Sequence, residues 1–352
     1  MNIVSNWLKK AFSDRQVVML FATLFVFIIV MVLFADMLGP VIAAIVLAFL
    51  LDGSVVWLEK RGLKHIWATF ITFAMFLILS AIAAISIVPL LFKQILQFVN
   101  TTPQMIASLQ KTVSELANNF PDLFSPQQVS GWFSNVGAEI AQLGPELFQY
   151  SLDGVAGAIT LVVYTILVPV MVFFFLKDKV AIIAWIVKFL PEERSLLAQV
   201  WKEAIERSGD YARGKVYEIL IVGIASFGIY TILGLKFATL LAVATGLSVL
   251  IPYIGAAVVT IPVALVAYAQ WGMTNDTLVA IVAYLILQAL DGNLLAPLLF
   301  SEVVKLHPNA IIIAILIFGG IWGLWGVFFA IPLATAANAI IRAWQDHKVE
   351  SA

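Results

Sequence analysis

Long uncharged runs separated by short charged segments dominate this sequence. The two longest, Phe237–Asn275 and Asn309–Ile341, contain no charged residue. A helix needs about 20 apolar residues to cross the hydrocarbon core of a bilayer, so runs of this kind predict transmembrane helices. Further candidate spans are Val17–Ala35, Met37–Leu51, Ile66–Phe92, Gly154–Leu176, Ile219–Leu235 and Thr277–Leu290.

The two longest runs exceed the length of one span, and both contain residues that interrupt helices. Pro252, Tyr253 and Gly255 predict a break in the first run, which then crosses twice or forms a membrane hairpin. Gly323 and Gly326 predict a break in the second. In both runs a glycine leads an apolar stretch into an Ile-Pro pair. The predicted topology gives the two segments opposite directions, which favours an inverted repeat of the kind that builds alternating-access transporters. Close helix packing explains these glycines equally well.

Composition supports a membrane protein. Of the 352 residues, 62% are hydrophobic and only 12% are charged, whereas about a quarter are charged in soluble domains. We therefore predict an all-α, polytopic helical membrane protein with about eight transmembrane helices, including one or two broken or re-entrant hairpins. No basic face with interleaved aromatic residues indicates nucleic-acid binding.

No motif for catalysis or for a cofactor occurs in the chain. It has no cysteine, its three histidines are scattered, and no nucleotide-binding Walker A motif is present. An intramembrane aspartyl protease would need a second carboxylate beside Asp291. Glu218 and Glu302 are the candidates, but neither lies in a recognisable motif. We therefore expect a protein that is not an enzyme and that uses no metal or cofactor.

Positive charge in the connecting segments predicts the orientation. Residues 1–16, 52–65 and 177–215 contain three, three and eight Lys or Arg residues, whereas residues 93–153 contain two against five acids. The positive-inside rule places the first three segments in the cytoplasm and residues 93–153 outside. Alternation of the spans gives the same orientation, with both termini cytoplasmic.

These patterns predict six segments. In the outer segment, apolar residues recur at helical spacing from Ile106 to Phe120, which favours either an oligomerisation or gating helix, or a helix packed on its own membrane domain. The predicted segments are an N-terminal membrane segment of three spans (1–92), an extracytoplasmic amphipathic helical segment (93–153), a fourth span (154–176), a cytoplasmic amphipathic helical segment (177–215), a C-terminal transport core (216–341) and a cytoplasmic tail (342–352).

The stretch from Gln288 to Pro308 contains the candidate site. Ionisable groups at membrane depth are costly and usually face a cavity or a partner. Because Gly292 permits a turn and Pro297 follows, we expect the helix to end near Asp291, which would then cluster with Gln288 and Asn293. A carboxylate, amides and the carbonyls freed by a helix break suit a cation or a polar solute.

Two further interpretations concern the same stretch. The polar residues would alternatively only stabilise the helix break, with Asp291 paired to Lys305 or to backbone amides. Asp291 lies near the end of a span that runs inward, which places the site in the cytoplasmic half of the membrane. Glu302, Lys305 and His307, followed by Pro308, then form the cytoplasmic rim of a re-entrant element.

Six segments in order along the chain carry a resemblance to a known family. They are WLEKRGL (57–63), FFFLKDK (173–179), LIPYIG (250–255), QALDGNLLAP (288–297), KLHP (305–308) and GGIWGLWGVFFAIPLA (319–334). These segments resemble the autoinducer-2 exporter family, the PerM-like permeases of bacteria, whose polar signature more often has glutamate at the position of Asp291. The resemblance implies a homo-oligomeric transporter of the bacterial cytoplasmic (inner) membrane; members are associated with export of autoinducer-2, and others with sodium/proton antiport.

These observations favour a secondary transporter in the lipid bilayer. Asp291 would exchange a proton for a monovalent cation, assisted by Asn293 and Gln288, or the same groups would hydrogen-bond the hydroxyls of a small polar solute such as autoinducer-2. The alternative is a structural membrane protein that binds an envelope partner through residues 93–153. That alternative predicts a silent Asp291→Asn substitution.

Overall fold

A computed structural model describes residues 35–119, 163–188, 195–252, 254–300 and 307–350. Helices account for the regular structure of these residues, and none of them lies in a β-strand, which confirms the predicted all-α class. The helices are α1 (Ala35–Lys60), α2 (His65–Asn119), α3 (Val168–Lys177), α4 (Lys179–Val187), α5 (Ser195–Ile232), α6 (Ala238–Ser248), α7 (Ile254–Trp271), α8 (Asn275–Leu290), α9 (Ala296–Phe300) and α10 (Pro308–Glu350).

Five stretches of helix are long and apolar enough to cross a membrane, judged by length and composition. The prediction of a polytopic membrane protein is therefore confirmed, while the number of spans stays a prediction. The five are Met37–Lys60, His65–Glu115, Gly209–Ile232, Ile254–Trp271 and Asn275–Phe300; shorter apolar stretches are Tyr164–Lys177, Ala238–Ser248, Asn309–Gly323 and Trp325–Thr335.

The chain forms two compact units. Unit 1 comprises the described parts of 1–77, 162–214 and 300–352, and unit 2 those of 78–161 and 215–299. Helix α2 passes the expected border between residues 92 and 93 without interruption. The first two of the six predicted segments therefore share one helix. The borders of all six segments stay predictions.

In unit 1, helix α1 packs against helix α3. Small residues on α1, including the buried Ala44 and Ala48, allow α3 to approach closely, and Val172 and Leu176 of α3 fill the contact. Small residues at helix contacts are typical of membrane proteins, in which lipid is as apolar as the core.

The core of unit 2 joins the end of α5 to helices α6, α7 and α8. Tyr230, Val263, Val266 and Tyr284 are fully buried in it. Gly246 of α6 brings α5 and α6 together, because a Cβ atom there would lie 2.8 Å from the carbonyl oxygen of Ile219.

Glycines produce the two breaks that the sequence predicts in the long runs. Between α6 and α7, a Cβ atom on Gly255 would collide with the carbonyl oxygen of Ser248. Within α10, Gly323 has φ 57° and ψ −132° and interrupts the helix, while Gly326 packs on the carbonyl of Phe318. In both places the missing side chain lets one helix start directly beside the backbone of the preceding one.

The expected end of a helix at Asp291 is wrong. Helix α8 continues through a π-helical turn, Asp291–Leu295, directly into α9. In that turn the Ala296 amide donates to the Asp291 carbonyl, so one extra residue is accommodated while the backbone stays hydrogen-bonded. Gly292 has no left-handed conformation and does not turn the chain. Pro297 is the second residue of α9 and has no amide hydrogen to donate to the preceding turn.

Candidate functional site

A buried ion pair on helix α5 is the starting point of the site. Lys215 and Glu218 are three residues apart and therefore lie on the same face of the helix. The Lys215 ammonium donates to the Glu218 carboxylate at 2.5 Å and to the Val249 carbonyl at 2.8 Å. Each of the two residues is 3% exposed. A pair so thoroughly removed from water is stable only because both charges have partners.

The Val249 carbonyl is available because helix α6 has ended. Ser248 is the last residue of α6, and Val249 follows as its C-cap. The last carbonyls of a helix have no partner within it. The turn before α7 therefore supplies an acceptor for the Lys215 ammonium, and the lysine links α5 to the end of α6.

Asp291 lies against this ion pair. Leu287 and Leu295, on either side of it along the helix, pack in one apolar cluster with Val222 and Val249, so this face of the helix points toward α5. The Asp291 carboxyl lies close enough to the Glu218 carboxyl and the Lys215 ammonium for both to act on it electrostatically. The structure thus brings one ammonium and two carboxyls together in an apolar environment.

One oxygen of Asp291 stands out. Its Oδ1 atom is buried and accepts no hydrogen bond from the residues that the structure describes. A buried carboxylate oxygen without a donor is costly. A proton or a bound cation at this atom would remove that cost.

A hydrogen-bonded chain adjoins Asp291 on the same helix. The Gln288 amide donates to the Tyr284 hydroxyl at 2.8 Å, and this hydroxyl donates to the Ala256 carbonyl at 2.5 Å. Tyr284 is only 1% exposed. The Gln288 oxygen, one turn before Asp291, accepts no hydrogen bond from the residues that the structure describes and can act as an acceptor.

Comparison with known proteins identifies the family. Residues 17–346 match the family described as AI-2E family transporter. The protein belongs to this family. PerM of Escherichia coli (strain K12) is 40% identical over 349 residues, which cover 99% of both chains. YueF of Bacillus subtilis (strain 168) is 28% identical over 322 residues, 90% of this chain and 86% of its own.

Membership of the AI-2E family confirms the resemblance that the sequence segments carried. The protein is a membrane transporter with several membrane-spanning helices, and its partners are the lipid bilayer and a small solute. A transporter of this family is consistent with the expectation that the protein is not an enzyme. Substrate, coupling and assembly are not fixed by family membership.

The structure brings only two of the three predicted site residues close together in this AI-2E transporter. Gln288 and Asp291 lie one turn apart, and both are half-buried. Asn293 is exposed, and its amide donates to the Ala289 carbonyl of its own helix at 2.8 Å. In the structure Asn293 therefore does not join the other two.

The structure describes only some of the residues that the sequence places at helix breaks and at the cytoplasmic rim. Pro252 lies in the turn between α6 and α7, and Tyr253 is outside the described residues, as are Glu302 and Lys305. His307 is exposed and accepts a hydrogen bond from the Asn309 amide at 3.2 Å. Pro308 is the first residue of α10, a position that proline favours. A pairing of Asp291 with Lys305 is untested, and the described lysine that acts on Asp291 is Lys215.

Lys215 and Glu218 are the site residues that sequence reasoning missed. Lys215 counts toward the basic residues of the predicted cytoplasmic segment 177–215, and the sequence offers Glu218 only as a candidate second acid of a protease. The usable signal was their spacing: a Lys-x-x-Glu pair directly before the uncharged run Ile219–Leu235. Two opposite charges at that spacing at the start of a span predict a mutually paired, buried couple.

Proposed function

We propose that this AI-2E family transporter exchanges protons for a monovalent cation such as Na⁺ at Asp291. The observation that carries the proposal is the buried Asp291 Oδ1 atom, which lacks a hydrogen-bond partner among the described residues, beside a second carboxyl at Glu218. Intramembrane ionisable residues that face the protein interior commonly mark ion pathways.

Two adjacent carboxyls explain how exchange would occur. Like charges this close cannot both be ionised at low cost, so one proton is retained between Asp291 and Glu218. A cation that binds between the same oxygens stabilises both carboxylates and releases that proton. Because proton and cation compete for one place, the site holds one or the other and not both, and this competition couples the two fluxes.

Gln288 supplies the second type of ligand in this proposal. Alkali and alkaline-earth cations prefer oxygen ligands, including amide carbonyls. Tyr284 holds the nitrogen of the Gln288 amide, so the amide oxygen is free to complete the coordination beside Asp291. Asn293, which bonds to its own helix, is not needed as a ligand.

Export of a small polar solute such as autoinducer-2 is the second candidate. The description of the family supports it. So do the neighbouring polar groups of Gln288 and Asp291, because an amide and a carboxyl together offer donors and acceptors to a hydroxylated molecule. In this case Asp291 would bind hydroxyl groups and no proton would be exchanged for the solute. Homo-oligomeric assembly and cytoplasmic termini are part of either proposal.

Flux measurements in proteoliposomes test the proposal. The purified protein is given a sodium gradient, a proton gradient or labelled autoinducer-2, and Asp291→Asn is compared with wild type. Asp276→Asn is the matched control, since Asp276 is an exposed carboxylate in the first turn of the same helix. We expect sodium-dependent proton movement in wild type and in Asp276→Asn, and none in Asp291→Asn.

The other outcomes discriminate between the candidates. Solute flux without proton movement favours the exporter. Unchanged sodium-dependent proton movement in Asp291→Asn would contradict the role of Asp291. Absence of flux of every kind in the wild-type protein would favour the structural protein that binds an envelope partner through residues 93–153.

A further inference from the structure

We propose that His65 is a second proton-binding site of this transporter, and that its proton holds the turn between α1 and α2 on the end of α3. The residues concerned lie in unit 1, whereas Asp291 lies in unit 2, so this contact does not require cation exchange at Asp291. Two segments that carry the family resemblance, 57–63 and 173–179, supply the partners of His65 and contain no residue of the candidate site.

Both ring nitrogens of His65 face acceptors. Nδ1 lies 2.7 Å from the Glu59 Oε1 atom, and Nε2 lies 3.2 Å from the Lys177 carbonyl oxygen. A carbonyl and an ionised carboxylate have no hydrogen to donate. A neutral imidazole carries one N–H group, whereas the protonated ring carries two. Both contacts therefore form together only when His65 is protonated.

The Lys177 carbonyl is available because a helix ends there. Lys177 is the last residue of α3, and the last carbonyls of a helix have no partner within it. A positive charge at this end is also favoured by the helix dipole. His65 is the first residue of α2, and Glu59 lies in the last turn of α1. The protonated ring thus connects the ends of three helices.

The other charged side chains of the turn and of the junction between α3 and α4 have other contacts or face solvent. They are Arg61, which lies 3.7 Å over the Trp57 ring, Lys179, which donates to Asp52 at 2.7 Å, Lys177, which lies 3.7 Å from the Asp178 carboxylate, and the exposed Lys60 and Lys64. Among the described residues, the carboxylate that contacts His65 is therefore that of Glu59.

Loss of the proton breaks one of the two contacts of His65. The side chain is 47% exposed, so the proton passes directly to water. The neutral ring keeps its N–H group toward Glu59, because a hydrogen bond to a charged acceptor is the stronger one. Nε2 then presents a lone pair to the Lys177 carbonyl, and two facing acceptors repel each other. The turn therefore separates from the end of α3 as the pH rises through the range of histidine titration, about pH 5–8.

Two measurements on the purified full-length protein in detergent test the proposal. NMR of ¹⁵N-labelled imidazole rings reports the protonation of His65, since the chain has only three histidines to assign. We expect two protonated ring nitrogens at about pH 5.5 and one at about pH 8.5. Spin labels report the movement, because the chain has no native cysteine. Labels at Lys64→Cys and Val180→Cys, both exposed positions, should be farther apart at the higher pH.

Substitutions in the labelled protein separate the proton from a structural role of the side chain. His65→Gln is always neutral and should have the longer distance at both pH values, whereas the permanently charged His65→Arg should have the shorter one. Glu59→Gln should move the transition to lower pH by roughly 0.2–0.7 pH units, the value of an exposed ion pair. His307→Gln is the control and should behave as wild type, because His307 is an exposed histidine whose Nδ1 accepts from the Asn309 amide.

Three outcomes would overturn the proposal. The first is a His65 ring that is neutral at both pH values, or a label distance that is the same at both. The second is a pH-dependent distance that persists in His65→Gln, since another group then controls the turn. If His65→Gln does not fold, Glu59→Gln decides, and an unshifted transition is the third. Each of these results leaves cation exchange at Asp291 standing, because sodium-dependent proton movement tests that exchange separately.

Discussion

The ammonium of Lys215 lies 2.5 Å from the carboxylate of Glu218, and both side chains are almost completely buried. Breaking a buried pair by removing one partner is costly, because the other charge is left without compensation. In this protein the remaining charge would also lie beside Asp291. The stability of unit 2 and the chemistry of the site therefore depend on the same contact.

Replacement of one partner of the pair should destabilise the protein more than replacement of both. We expect Lys215→Met to lower the free energy of unfolding by about 3–5 kcal/mol, the usual cost of a broken buried pair. Addition of Glu218→Gln should recover part of this loss, since no charge of the pair then remains unpaired. Thermal unfolding in detergent measures both variants. Equal or additive losses would show that the two residues do not stabilise each other.

Tyr284 should act on substrate affinity through Gln288. Tyr284→Phe removes the hydroxyl that accepts a hydrogen bond from the Gln288 amide. A neutral hydrogen bond contributes about 1 kcal/mol of free energy. We expect a severalfold increase in KM for the transported ion, with a smaller change in maximal rate.

Tyr268→Phe is the control for Tyr284→Phe. The Tyr268 hydroxyl also donates within unit 2, to Thr112, but Tyr268 is not next to Gln288 in the hydrogen-bonded chain. Its loss should leave KM unchanged. Equal effects of the two substitutions on KM would contradict the positioning role of Tyr284.

Gly246 should be essential for the contact of α5 with α6. A Cβ atom there would lie 2.8 Å from the Ile219 carbonyl oxygen and 3.0 Å from the Gly223 Cα atom, so Gly246→Ala must push the helices apart. We expect a lower melting temperature. Gly228→Ala on α5 is the control, since its Cβ would meet no atom within 4 Å. Tolerance of Gly246→Ala would contradict the close approach.

Gly292 should tolerate alanine, in contrast to a glycine that turns the chain. A Cβ atom at Gly292 would meet nothing within 4 Å, and the residue lies in a continuous helical segment. Alanine is favoured over glycine in helices by up to about 1 kcal/mol. We expect Gly292→Ala to retain transport and to melt no earlier than wild type. A loss of folding or of transport would favour the helix break that the sequence predicted.

The uncharged runs were sufficient to predict the helical class, the membrane location and the breaks near Gly255 and Gly323. Burial in lipid requires only an apolar composition, and a helix break depends only on residues close to it in the chain, so both can be predicted from the sequence. The helix end at Asp291 was wrong for a local reason: Gly and Pro are compatible with both a turn and a π-helical turn, and the backbone hydrogen bond from Ala296 to Asp291 decides between them.

Half of the site could not be predicted in the same way. Asp291 was identified from its position in an apolar stretch, but its neighbours come from α5, roughly seventy residues earlier in the chain, a contact that only tertiary packing establishes. Lys215 resembles a loop residue in sequence, because it ends a basic segment. Its burial follows from the contact with Glu218 and Val249.

The exchange of a proton for a cation at Asp291 is the central claim, and proton release on sodium binding tests it most directly. Na⁺ is added to the purified protein in weakly buffered detergent solution, and the released protons are counted against bound sodium. The account predicts one proton released for each sodium ion bound in wild type and in Asp276→Asn, and neither binding nor release in Asp291→Asn. Sodium binding without proton release, or equal proton release in Asp291→Asn, would contradict it.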